Sequence, residues 1–159
     1  MRLFALLVVI LVTTAAMAIT PPTQLDDLIR GEMSAVKAYD VAIQDLKNGS
    51  ERRTLVRIRE GHQAAVTKLK KYAVNKPEVQ EDVKTVGPWG TFAKAWVKGA
   101  TLISNNTALT ALKQGEEHGV DEYKEALEDS TIGNELKNEI RTSMLPAQER
   151  HIKTLKELR

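Results

Sequence analysis

At 159 residues, 42% of them hydrophobic and 28% charged, the chain is long enough for one folded domain with its own core and short for two. A formal net charge of +2 is too small for nucleic acid to be the main partner. The absence of cysteine excludes disulfides, thiolate metal sites, a cysteine nucleophile and a lipidated cysteine.

Arg2 precedes the apolar run LFALLVVILV, and small residues follow up to Ala16-Met17-Ala18. That order is the order of a secretory signal, so residues 1–18 are read as a signal peptide cleaved after Ala18 and residues 19–159 as an exported domain, periplasmic or secreted. The run falls short of the roughly 20 apolar residues of a bilayer span, and no stable membrane span is expected after cleavage. Loss of Arg2 leaves a formal charge of +1.

Pro21 and Pro22 hold an extended lead, and Thr23 sits where a helix should start. The first helix runs to about Lys47, with Leu25, Leu28, Glu32, Ala35, Tyr39, Ala42 and Leu46 inward at alternating steps of three and four. Asn48-Gly49-Ser50 ends it. The second helix places Leu55, Ile58, His62, Ala65 or Val66, and Leu69 inward, and fades by Asn75-Lys76-Pro77. Its basic stretch RRTLVRIR interleaves arginine with apolar positions and reads as a solvated face. So short a link makes the two helices antiparallel neighbours. Folding about Gly49 sets Glu32 level with Val66, roughly 6 Å along the axis from His62 at about 1.5 Å per residue.

From Pro77 to about Asn106 the pattern weakens across Gly87-Pro88-Trp89-Gly90. Trp89, Phe92, Trp96, Ala100 and Ile103 there describe a short amphipathic helix within a crossover, packed on the bundle or offered to a partner. A third helix from near Thr107 turns Leu109, Leu112, Glu116, Gly119 or Val120, Tyr123 and Ala126 inward, and the chain turns between Asp129 and Gly133. The fourth carries Leu136, Ile140, Met144, Gln148, His151, Leu155 and Leu158, with a kink expected at Pro146. No strand pattern is present. The fold class is all-α: an antiparallel four-helix bundle made of two hairpins.

The hairpins look duplicated. Gly31, Glu32 and Tyr39 recur as Gly115, Glu116 and Tyr123, and His62, Val66 and Leu69 align with His151, Leu155 and Leu158. Each helix therefore has one polar residue on an apolar stripe: Glu32, His62, Glu116 and His151. A buried carboxylate is costly unless a cation, a donor or a metal compensates it, and the simplest compensation is that the four meet. Two carboxylates and two imidazoles form a ligand set for iron, manganese or zinc. The competing arrangement is a metal-free layer, with both glutamates ionised and bonded to Arg59, the histidines or the hydroxyls of Tyr39 and Tyr123. His118 and Glu117 fall on other faces of the third helix. Neither a nucleophile with an oriented base nor a glycine-rich phosphate loop is present, which leaves hydrolase and nucleotide-binding readings without support.

Gly31-Glu32 to Tyr39, Gly115-Glu116 to Tyr123 and the preceding Trp96 segment resemble the ferritin-like superfamily, and more closely a bacterial ferritin-like family of uncharacterised function, over residues 24–158. The resemblance implies a glutamate from each of two helices and a Glu-x-x-His pair from each of the others. This chain departs from that pattern, because Arg59 and Gln148 stand three residues before the histidines. Glu60 and Glu149 stand two residues before them, about 200° around the helix. An inward Arg59 would repel a dication and pair with Glu32 or Glu116. The balance of these features favours a non-catalytic binding or structural module, its bundle surface or Trp89/Trp96 segment available to a second copy or a protein partner. A metal-binding protein of redox or storage type is the alternative.

Overall fold

The computed structural model describes residues 23–45, 49–73 and 105–158. Expectations for the signal segment, for Leu46 and for the Trp89/Trp96 crossover lie outside those residues. Helix α1 is Gln24–Asp45, α2 Gly49–Tyr72 and α3 Asn105–Glu128; the last rod comprises α4, Asn134–Glu139, a π-helical segment, Ile140–Met144, and α5, Leu145–Glu157. Among the described residues there is no strand, and the fold is the expected all-α bundle.

Local chemistry sets the ends. Thr23 and Asp26 cap α1 reciprocally: the Thr23 N–H donates to Asp26 Oδ2 at 2.8 Å and the Asp26 N–H to Thr23 Oγ1 at 3.4 Å. After α3, the Asp129 carboxylate accepts the Thr131 N–H at 2.7 Å, closing an Asx turn that redirects the chain.

Inward positions read from periodicity are buried: Leu25, Leu28, Ala35, Tyr39 and Ala42 on α1, Leu55, Ile58, Val66 and Leu69 on α2, and Leu109, Leu112, Tyr123 and Ala126 on α3; Ile29, Met33 and Ala38 widen the α1 stripe, and Leu158 is only partly buried. Arg52, Arg53 and Arg57 are exposed, as a solvated face requires. Helix α1 packs along α2, α3 along α5, and α1 against α3.

The core falls into two apolar clusters. One joins the C-terminal half of α1 and the start of α2 to the start of α3 and Leu155 of α5. The other joins the N-terminal half of α1 and the end of α2 to the end of α3, Leu136 and the π segment. These memberships make α1 antiparallel to both α2 and α3, and α2 antiparallel to the last rod, so α3 starts at the opposite end of the bundle from where α2 stops. Each large side chain removed from water contributes about 1.5–3 kcal/mol. The polar residues lie between the clusters, at the waist.

The last rod breaks differently from a simple kink. The Leu145 N–H reaches the carbonyl of Ile140, five residues back, and Pro146 enters in the first turn of α5. This wider turn has a reason in the sequence. Leu136, Ile140, Met144 and Gln148 are spaced by three successive fours, which would drift about 120° around an ideal α-helix. The π turn takes up drift and keeps Leu136, Ile140, Met144 and Gln148 all buried.

Candidate functional site at the bundle waist

Glu32 comes from α1, His62 from α2, Glu116 from α3, and Gln148 and His151 from α5. Glu32 is 5% exposed, His62 1%, Glu116 0% and Gln148 3%; the His151 side chain retains 16%. His62 is the hinge of the arrangement. Its Nδ1 lies 2.7 Å from Glu32 Oε2 and its Nε2 lies 3.0 Å from Glu116 Oε1. His151 Nδ1 is 3.3 Å from the other oxygen, Glu116 Oε2. The His62 and His151 rings approach edge to face, with centroids 5.1 Å apart.

The tyrosines cross between hairpins. Tyr39 on α1 donates its hydroxyl to Glu116 on α3, and Tyr123 on α3 donates to Glu32 on α1. This reciprocity is what a duplicated hairpin related by a pseudo-twofold axis produces. The histidines break it, since Glu32 and His62 are 30 residues apart whereas Glu116 and His151 are 35 apart. The longer second hairpin includes the π turn, and its histidine sits nearer the surface.

Electrostatics follow from the contacts. Burial alone would lower the His62 pKa, but the carboxylates of Glu116 and Glu32 outweigh it and lift it from 6.5 to about 10. Burial would raise Glu116, and the His62 charge with the His151 and His62 hydrogen bonds overrides it, taking the carboxyl from 4.5 down to about 2. These two shifts describe one interaction from its two ends. Burial and the adjacent carboxylates raise both tyrosine hydroxyls well above 10.0, which keeps them donors.

Two sequence expectations need correction. Arg59 does not enter the layer; its Nε donates to Asp40 Oδ1 at 2.9 Å and its Nη2 to Asp40 Oδ2 at 3.3 Å, on a partly exposed face. Asp40 follows Tyr39 directly, so when Tyr39 points inward its neighbour is carried round the helix to meet an arginine at the rim. The register between α1 and α2 also differs from the expectation. Helix α1 ends at Asp45 and α2 begins at Gly49, so Gly49 opens the second helix instead of marking the fold point. That moves the pairing by four residues, one helical turn or about 6 Å, and brings Glu32 opposite His62 instead of Val66.

Glu60 and Glu149 are exposed, as their angular positions required. His118 pairs with Glu122 at 3.2 Å, off the layer. Glu122 itself escaped the sequence reading because it lies beside the inward Tyr123 rather than on the stripe. Gly31 admits it: a Cβ there would lie 2.7 Å from Glu122 Oε2. Burial, followed by the charge of Glu32, lifts the Glu122 carboxyl from 4.5 to about 7. A glycine facing a carboxylate across a helix pair was the available signal. Gly61 likewise gives room to His151, whose Nε2 would stand 3.3 Å from a Cβ there.

The ligand atoms of His62, Glu116 and His151 lie within 4.8 Å of one another, a grouping that can hold a metal ion. Glu32 stands apart from that trio on the far nitrogen of His62. Among the described residues no helix is long and apolar enough to cross a membrane. A family model described as "Domain of unknown function (DUF2383)" matches residues 21–129, more than half of the chain. The chain belongs to the DUF2383 family. The DUF2383 match carries Glu32, Tyr39, His62, Glu116, Glu122 and Tyr123, while Gln148 and His151 lie beyond it. Neither the curated proteins nor the solved structures gave a match.

Proposed function

We propose that this DUF2383 protein is an exported, ferritin-like metal-binding bundle that takes one transition-metal ion, iron, manganese or zinc, at His62 Nε2, Glu116 and His151 Nδ1. The observation that carries this is the convergence of two imidazoles and one carboxylate within 4.8 Å at the waist. The 3.0 Å edge between His62 Nε2 and Glu116 Oε1 matches ligands at right angles about 2.1 Å from a shared ion. Glu32, read from sequence as a ligand, serves instead as the outer carboxylate that accepts the His62 Nδ1–H and leaves Nε2 free to ligate. Arg59 turned outward removes the positive charge that weighed against a dication. Binding asks less of the site than redox catalysis, which also needs an open coordination position.

One observation favours the module reading as a second: His62 contacts a carboxylate through each nitrogen, so an imidazolium clasped by two glutamates satisfies the layer without metal. The two are separated by elemental analysis of dialysed protein, followed by Co²⁺ titration of the stripped form. The metal reading expects one equivalent and a ligand-field spectrum lost in Glu116→Gln and His151→Leu, with Glu32→Gln weakening affinity by about 10–100-fold. Absence of both metal and spectrum would leave the module. Export rests on the segment ending Ala16-Met17-Ala18; an N-terminus at Ile19 in the mature protein is the expected result of sequencing it.

A further inference from the structure

Beside the layer is a cavity of about 10 Å³, room for one water-sized occupant. Its walls include Glu32, Glu122, Tyr123 and Gln148. Two glycines make it. A Cβ at Gly119 would stand 2.3 Å from Gln148 Nε2, and one at Gly31 would stand 2.7 Å from Glu122 Oε2, so both side chains fold over bare backbone. Gln148, only 3% exposed, lines the cavity and makes no hydrogen bond to any described residue. Its amide reaches this polar cavity rather than a protein partner, which leaves it to an occupant.

We propose that this cavity is a second cation site, taking one small hard divalent ion of the Mn²⁺ or Mg²⁺ class through the carboxylates of Glu32 and Glu122 and the amide oxygen of Gln148. All three donors are oxygen, the set that suits these ions rather than zinc. The size of the cavity favours them over Ca²⁺, whose oxygen ligands stand at about 2.3–2.6 Å rather than about 2.0–2.1 Å. Charge points the same way: Glu32 and Glu122 face one space, where Glu122 meets His118 at 3.2 Å and Glu32 shares His62 with Glu116. Gln148, a departure from the ferritin-like ligand pattern, acquires a role here together with Glu122. The site is independent of the trio on the other side of His62, except that Glu32 borders both.

The test is Mn²⁺ titration of the metal-stripped full chain, read by electron paramagnetic resonance. With the trio first filled by one equivalent of Co²⁺, wild type binds one further Mn²⁺ that Glu122→Gln and Gln148→Leu each weaken by at least about tenfold, while His151→Leu retains it. In Glu122→Gln the Co²⁺ spectrum assigned to His62, Glu116 and His151 persists. If the Gln148 variant fails to fold, Glu122→Gln carries the decision, since that side chain is 22% exposed. Mn²⁺ binding unchanged in Glu122→Gln, or absent from wild type, overturns this proposal and leaves the trio untouched. Absence of a Co²⁺ spectrum from wild type with Mn²⁺ binding kept overturns the trio alone.

Discussion

Glu116 is fully buried and still ionised because three groups converge on it: the Tyr39 hydroxyl, His62 Nε2 and His151 Nδ1. Removing the hinge is therefore worse than removing a donor. His62→Leu strands two carboxylates and should cost about 3–5 kcal/mol in urea unfolding, whereas Tyr39→Phe, which removes one bond to a charged acceptor, should cost about 1.5–3 kcal/mol. Equal losses would show that the layer does not hinge on His62. Stability should also depend on pH with a definite sign. The raised His62 contributes fully below 6.5 and is lost as pH rises through about 10. The lowered Glu116 contributes above 4.5 and is lost as pH falls through about 2. Glu122, raised from 4.5 to about 7, takes stability away as pH climbs across that interval. Stability is thus expected to peak near pH 4.5 and to fall from there, through Glu122 up to about 7 and through His62 up to about 10, and metal-stripped protein should unfold at less urea at about pH 9.5 than at about pH 5.5. The alkaline limb should flatten in His62→Leu.

Among the elements, the last rod is the one whose sequence and geometry disagree with an ideal helix. The π turn at Ile140–Met144 accommodates one residue more than an α-helical stripe needs. Deleting exposed Arg141 would restore alternating steps of four and three from Leu136 to His151, so the shortened rod should be continuously α-helical with Gln148 and His151 in place. We expect the fold and the Co²⁺ spectrum to survive, with the melting temperature within a few degrees of wild type, roughly a 1 kcal/mol change. Collapse of the bundle would mean that the π turn does more than adjust register. Lys68, which bonds Glu139 at 2.6 Å and Ser143 at 3.0 Å, ties α2 to this rod and should remain able to do so.

At the scale of the molecule, a polar layer separates two apolar clusters that could otherwise merge. Replacing Glu32, His62 and Glu116 together by leucine removes every stranded charge at once, unlike any single change. Such replacements are often neutral or stabilising by about 1–4 kcal/mol. The triple variant should therefore unfold at equal or higher urea concentration than wild type and bind no Co²⁺. A large loss of stability would show that the layer is indispensable to packing, and the site proposal would lose its rationale.

Periodicity alone determined the helices, their inward faces and the four polar intrusions, because burial of an apolar stripe is written into every third or fourth residue. Duplication tied Glu32 to Glu116 and His62 to His151. The sequence could not decide the register, since moving the fold point by two residues shifts a whole helix by about one turn without changing which face is apolar. It could not place Arg59 or Glu122 either: both stand at the edge of the stripe, where the partner rather than the angle settles direction. Arg59 found Asp40, and Glu122 folded over Gly31 towards the waist. Tertiary structure alone decided that Glu32 meets His62 Nδ1 while Glu116 meets Nε2, because the two nitrogens of one imidazole face opposite ways and each met a different carboxylate.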